Sequence, residues 1–328
     1  MLLLGYLPLE RSQWPRFLQR KRAEYAHFCE ELVVDPKRFN TPGSLRVAPG
    51  SEPNPLLLNG AGRAGLEGQL TRVTITHDDH PLSLGDNSKW KEFFKDAEVQ
   101  EQIDRDVMRT HPDLNFFSAT SATAARHRED MKRSLFIFAK LNPGLRYVQG
   151  MNELYAPIYW LFKTDPDVEA AEHAEADAFY CFVDLISEFR DHFCQQLDNS
   201  SVGIRATMTK LSQFVKSYDD ELWYHLEVEN KVNPQFYAFR WITLLLTQEF
   251  SFPDSLRLWD TLLSDKAGRT DCLLRLCCAM LLHVREELMQ GDFAANMKLL
   301  QRYPPVDVLV ILKKAEELKH VKSVIVLS

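Results

Sequence analysis

Apolar residues recur at three- and four-residue intervals along most of this 328-residue chain, and that spacing predicts helices. From Ser12 to Leu32, the residues Trp14, Phe17, Leu18, Tyr25, Phe28 and Leu32 mark one helical face behind a serine cap. The same reading predicts helices over about 88–109, 126–141, 150–163, 172–196, 204–217 and 220–230. Four more are predicted over about 234–250, 254–264, 270–290 and 304–320. Asn233 as a cap with Pro234 at the first helical position marks one start, and Asp219 marks another. No internal repeat of fixed length is visible, so a solenoid is not supported. The pattern predicts an all-α protein.

The periodicity fails over 35–70. Eleven of those 36 residues are Pro or Gly, which reads as a flexible, disordered insertion loop. Within it Gly60-Ala61-Gly62-Arg63-Ala64-Gly65 spells a dinucleotide-binding hexapeptide between Leu56-Leu57-Leu58 and Val73-Thr74-Ile75. Only about Leu66 to Arg72 remains for the crossover helix, and Gly68 interrupts it. A strand–helix–strand crossover needs at least about ten residues, so the flexible loop is the preferred reading over a nicotinamide-dependent dehydrogenase.

Hydrophobic residues make up 45%, enough for a substantial core. The net charge of −7 disfavours free nucleic-acid binding. Locally the balance reverses. Between Ile103 and Gly150 there are eight Lys/Arg against five Asp/Glu, which suits either an ordinary solvated face or a mild attraction for an anionic partner surface. The six cysteines form no C-x-x-C pair and read as reduced core residues of a cytosolic protein. Asn199-Ser200-Ser201 fits the glycosylation pattern but stands without a secretory signal. No uncharged run approaches the roughly 18 residues of a transmembrane helix, and the C-terminus is not a prenylation box. The expected location is cytoplasmic, with peripheral association to endomembranes or plasma membrane. His77-Asp78-Asp79-His80, and His173 with Asp177, each lack a full metal-ligand set, so no metal site is expected.

Two short stretches carry chemistry. Ile103, Asp106 and Arg109 fall at i, i+3 and i+6, close to one helical face, with Thr110-His111-Pro112 ending the helix and letting Arg109 project. Tyr147-Val148-Gln149-Gly150-Met151-Asn152 follows the helix-stopping Asn142-Pro143-Gly144 and sets an amide beside a glycine in a turn. A planar cation spreads over charge developing on a phosphoryl group, and an amide orients a water; hydrolysis of a nucleoside triphosphate needs both. There is no phosphate-cradling G-x-x-x-x-G-K-[ST] and no nucleophile elbow, so the chain is not expected to bind a nucleoside triphosphate by itself.

These residues resemble the TBC domain, the family of GTPase-activating proteins for Rab GTPases. The resemblance rests on I-x-x-D-x-x-R (Ile103, Asp106, Arg109) and Y-x-Q-G (Tyr147, Gln149, Gly150). A third block runs from Asn233 through Arg240-Trp241, then Gln248-Glu249-Phe250 and Leu258-Trp259-Asp260. The ordered set covers roughly residues 1–320 as a single domain, with 321–328 as a tail. The longer stretches LNPGLRYVQGMNEL, HAEADAFYCF, PQFYAFRWITLLLTQEF and REELMQGDF point to one branch of the family. Leu2 to Pro8 resembles the tail of the family's first motif, whose earlier helix has no counterpart here.

The resemblance implies two packed helical subdomains with a groove between or beside them, that Arg109 enters a partner's active site as an arginine finger, and that Gln149 replaces the GTPase's own switch glutamine. Ile103 anchors the first helix, Asp106 orients the guanidinium, Tyr147 and Gly150 shape the turn, and Asn152 braces it. Arg146 adds charge near the mouth. Arg240 and Trp241 are candidates for partner contact, although both, with Glu249, Trp259 and Asp260, are assigned mainly to structure. The expected partner is a Rab-family GTPase in the GTP-bound form. That partner holds the GTP and Mg²⁺; the chain needs no cofactor of its own, binds no nucleic acid, and meets membrane only peripherally or through the Rab. The alternative is a non-catalytic Rab-binding scaffold.

Overall fold

The computed structural model describes residues 1–32, 89–194, 203–266 and 268–325. The insertion at 35–70, its glycine-rich hexapeptide and the His77–His80 cluster lie outside the described residues.

Among the described residues the chain is all-α, without a β-strand. The first group of helices is α1 (Trp14–Leu32), α2 (Lys89–Val107), α3 (Asn115–Ser118), α4 (Ala122–Leu141), α5 (Met151–Lys163), α6 (Val168–Glu172), α7 (Ala174–Glu188) and α8 (Arg190–Phe193). The second is α9 (Ile204–Tyr218), α10 (Asp220–Trp223), α11 (Ala238–Thr243), α12 (Phe252–Ser264), α13 (Arg269–His283), α14 (Arg285–Gln290), α15 (Phe293–Gln301) and α16 (Val308–Ile325). Helices α1, α2, α4, α5 and α7 pack on one another, as do α9, α11, α12, α13 and α16, so two helical subdomains share one continuous core.

Local chemistry sets the starts. Ser121 caps α4 by accepting the Ala124 N–H at 3.1 Å. Asp219 caps α10 through Leu222 N at 2.9 Å, and Asn233 accepts from Gln235 N at 2.9 Å ahead of Pro234, both as the sequence suggested. The first subdomain is tied by a polar seam. Tyr25 and Tyr155 each meet the buried Ser134 hydroxyl at 2.8 Å, and Tyr159 donates to Asp130 at 2.7 Å. Arg133 binds both oxygens of Glu175, at 2.6 and 2.5 Å. Buried polar atoms persist only when paired, so this seam fixes which faces of α1, α4, α5 and α7 meet.

Several predicted helices divide. The run 172–196 breaks at His173 and again at Phe189, a buried ring that turns the chain into α8. The run 270–290 breaks at the buried Val284. The last helix starts after Pro304-Pro305 and reaches Ile325, into the stretch read as a tail. The most consequential break is in 234–250. Helix α11 stops at Thr243, and Leu245 and Leu246 take left-handed φ values of 47° and 65°. The Leu245 carbonyl accepts from Trp259 Nε1 at 3.0 Å, and Leu246 N donates to Trp241 O at 3.0 Å. Tertiary partners thus override a sequence that favours helix, at about 1–3 kcal/mol for each strained residue.

The candidate site: a groove holding an arginine and a glutamine

Helix α2 ends one residue short of the arginine turn. Arg109 N donates to Asp106 O at 3.1 Å and Thr110 N to Val107 O at 3.2 Å, a tightened last turn that His111 closes with φ 41°. Ile103 and Val107 are buried on the same helix and fix its orientation. Asp106 is buried too, and its two oxygens are divided: Oδ1 accepts Arg109 Nη2 at 2.6 Å, and Oδ2 accepts the Tyr147 hydroxyl at 2.8 Å. Arg109 also donates through Nε to Arg105 O at 3.2 Å. These bonds use two of the five guanidinium N–H groups, while the side chain stays 67% exposed.

The glutamine turn is built from the other side. Asn142 stops α4 by donating its side-chain amide to Phe138 O at 2.9 Å, and Arg146 takes a left-handed φ of 59°. Tyr147 then turns inward and is buried; burial and the neighbouring Asp106 carboxylate hold its phenol protonated, as a donor. Gln149 is exposed at the apex, followed by Gly150 at φ 100°. A Cβ on Gly150 would lie 2.5 Å from Leu244 Cδ2, the movable tip of a half-buried side chain, so it is the backbone angle that demands glycine.

Asn152 joins the two turns. Its Nδ2 lies 2.9 Å from Thr110 Oγ1, 3.3 Å from Asp106 O and 3.0 Å from Glu153 Oε1. Glu153 is buried at the floor. Burial pushes its carboxyl above the usual range, opposed by hydrogen bonds from Gln248 and Asn152. His111 Nε2 lies 3.6 Å from Glu153 Oε2, and burial lowers its affinity for a second proton.

The result is an open groove of about 520 Å³. From the first subdomain Asp106, Arg109, Val148, Gln149, Asn152 and Glu153 line it; from the second, Phe239, Arg240, Thr243, Leu244 and Gln248. Ile103 and Tyr147 support it from the core, and Arg146 is exposed but does not line it. Trp241 is fully buried, which corrects its place among the partner-contact candidates: in this fold its ring packs against Tyr237 and Tyr303. Arg240 is half-exposed and clasps Glu249 through two bonds, at 2.7 and 2.9 Å. Asp177, paired in sequence with His173 as a metal candidate, instead binds Arg22 through both oxygens. Sequence reasoning missed Glu153, Phe239 and Leu244 as lining residues. Glu153 follows Asn152 directly, Phe239 sits within the third motif block and Leu244 in the gap after Trp241, but only the folded chain turns them toward the groove.

Residues 76–289 match the model of the Rab-GTPase-TBC domain. The chain belongs to that family. It is 39% identical to human TBC1 domain family member 13 over 381 aligned positions, covering 98% of this chain and 88% of that protein, the branch to which the longer stretches pointed. Human TBC1 domain family member 5 is 27% identical, covering 98% of this chain and 41% of its own length. The crystal structure of the Ypt/Rab-GAP domain of Gyp1p shares the fold of this TBC domain with a TM-score of 0.70, at 24% identity, covering 98% of this chain and 86% of that one. No described helix of the domain is long and apolar enough to cross a membrane.

Proposed function

We propose that the chain accelerates GTP hydrolysis by a GTP-bound Rab-family GTPase, supplying Arg109 and Gln149 in trans. One observation carries this reading. A mostly exposed guanidinium, braced by a buried carboxylate, and an exposed amide at the apex of a glycine turn line one groove. The guanidinium spreads over charge developing on the terminal phosphoryl group, and the Gln149 carbonyl oxygen accepts from the attacking water. The nucleotide and Mg²⁺ belong to the partner. Asp106 lets Arg109 point outward without a search through rotamers, and Asn152 keeps both turns in register.

The test is single-turnover phosphate release from a panel of GTP-loaded Rabs. Arg109→Ala and Gln149→Ala each lose most of the stimulation, by about 10³-fold or more, on the scale of other arginine fingers. Arg109→Lys fails as well, because an ammonium lacks the planar fork. Rab binding persists in all three. Wild-type rates in either alanine variant contradict the reading. Binding of a Rab without acceleration by the wild-type chain supports the scaffold instead.

A further inference from the structure

A second cavity, of about 680 Å³, opens beside the groove, and Arg240 lines both. Its walls are the turn before α11 and one side of α15: Phe236, Tyr237, Met297, Lys298 and Arg302. Three features set it apart from ordinary surface. Phe236 is 45% exposed on its rim and Phe239, three residues on and facing the groove, is 48% exposed, so apolar rings stand in water at the join. The lining contains three cations and no carboxylate, although the whole chain carries a net charge of −7. Arg240 is neutralised by Glu249, but among the described residues neither Lys298 nor Arg302 has an ion-pair partner within 4 Å. The Arg240 guanidinium donates to Gln301 O at 3.0 Å, so α15 is fastened to the groove wall and the two cavities form one continuous surface.

A globular partner that presents its nucleotide to Arg109 and Gln149 needs roughly 800 Å² of contact on each side, far more than the groove walls offer. We propose that this basic, aromatic-rimmed cavity is the outer half of the GTPase docking surface. It takes a patch of acidic and apolar side chains beside the partner's nucleotide site and discriminates among GTPases by that patch. The inference rests on the function proposed above, and it adds residues that touch neither finger. Lys298 and Arg302 attract the acidic side chains from solvent, and Phe236 and Met297 receive the apolar ones.

The experiment follows single-turnover hydrolysis by GTP-loaded Rabs against the concentration of the full chain, at low and high salt. The variants are the Lys298→Glu/Arg302→Glu pair and, separately, Phe236→Ser. All three positions are exposed, and an unchanged melting temperature confirms folding. The charge reversal is expected to raise the half-saturating concentration about tenfold for the preferred Rab, with the plateau rate kept within about twofold. It is also expected to flatten the salt dependence. Phe236→Ser is expected to raise half-saturation without changing the salt dependence. Half-saturation unmoved by the charge reversal overturns the proposal, as does a plateau that falls while half-saturation stays fixed. If the wild-type chain accelerates no Rab, the reading of the groove fails and this surface falls with it. That failure shows in the wild type alone and is not mistaken for the other.

Discussion

At the scale of single residues, the site is a set of side chains each held by something that does not itself face the partner. Tyr147 is the clearest case. Its hydroxyl satisfies one oxygen of the buried Asp106, whose other oxygen holds Arg109. Tyr147→Phe removes that donor and leaves Asp106 Oδ2 under-paired. The expected outcome is a loss of about 1–3 kcal/mol of stability in urea melts. It also lowers the plateau hydrolysis rate, because the brace of the guanidinium loosens. Unchanged stability would show that water replaces the phenol. Gly150 makes a sharper test. Alanine there meets Leu244 Cδ2 and must keep φ near 100°. Gly150→Ala is expected to cost about 1–3 kcal/mol for the backbone angle, while the Leu244 tip swings aside at little further cost. Adding Leu244→Ala is therefore expected to recover little of the loss in urea melts. A large recovery would show that the leucine cannot move.

The motif residues at this scale were legible in the sequence because their chemistry is local. A helical spacing put Ile103, Asp106 and Arg109 near one face, and a glycine after Gln149 marked a turn. Glu153 was not legible as a groove residue. Its hydrogen-bond partner Gln248 lies nearly a hundred positions downstream, and no short pattern in the chain records that meeting.

At the scale of elements, the decisive segment is the one following α11. Propensity reads Trp241 to Phe250 as helix, since Leu, Thr and Gln break nothing. The chain instead coils through two left-handed leucines, and Arg240 and Glu249 close the loop across it. That loop sets Leu244 against Gly150 and brings Gln248 to Glu153. The Glu249 side chain is almost completely buried, so its partner matters more than a surface pair would. Arg240→Met strands a buried carboxylate and is expected to destabilise the domain by about 3–5 kcal/mol, whereas Arg240→Met/Glu249→Met recovers most of it. Thermal melts of the two variants check this, and equal melting temperatures would show the pair to be incidental. The breaks at Phe189 and Val284 escaped sequence reading for the same reason. A buried residue at a corner looks like any other core position until the neighbouring helices are in place.

At the scale of the whole molecule, two helical groups sharing one core hold the groove walls apart. The bulk of this was readable from periodicity alone, because most helices here have one apolar face. Short helices such as α3 and α15 were not, being too brief to show a period. The shared core also makes a prediction about acid. His192 is buried with Nε2 at 3.1 Å from Thr207 Oγ1 and no partner on Nδ1. Burial pushes its pKa down from 6.5 to about 4. The folded chain therefore refuses a proton that the unfolded chain accepts. This residue's contribution is complete above pH 6.5 and is lost as pH falls toward 4, by up to about 3 kcal/mol. Buried carboxyls such as Glu175 and Glu153 shift upward and act in the opposite direction, favouring the fold as pH falls. The informative quantity is thus the difference between the wild type and His192→Gln in urea melts across this range. That difference is expected to shrink on acidification, and a constant difference would contradict the assignment.

The fold places Arg109 and Gln149 on one groove, and the central proposal is that this chain, not its partner, supplies the amide that orients the water. The most direct measurement uses a Rab whose switch glutamine is replaced by alanine, loaded with GTP and followed by single-turnover phosphate release. The account predicts strong acceleration by the wild-type chain and none by Gln149→Ala. Loss of acceleration by the wild-type chain on that Rab, with acceleration intact on the unaltered Rab, would contradict it.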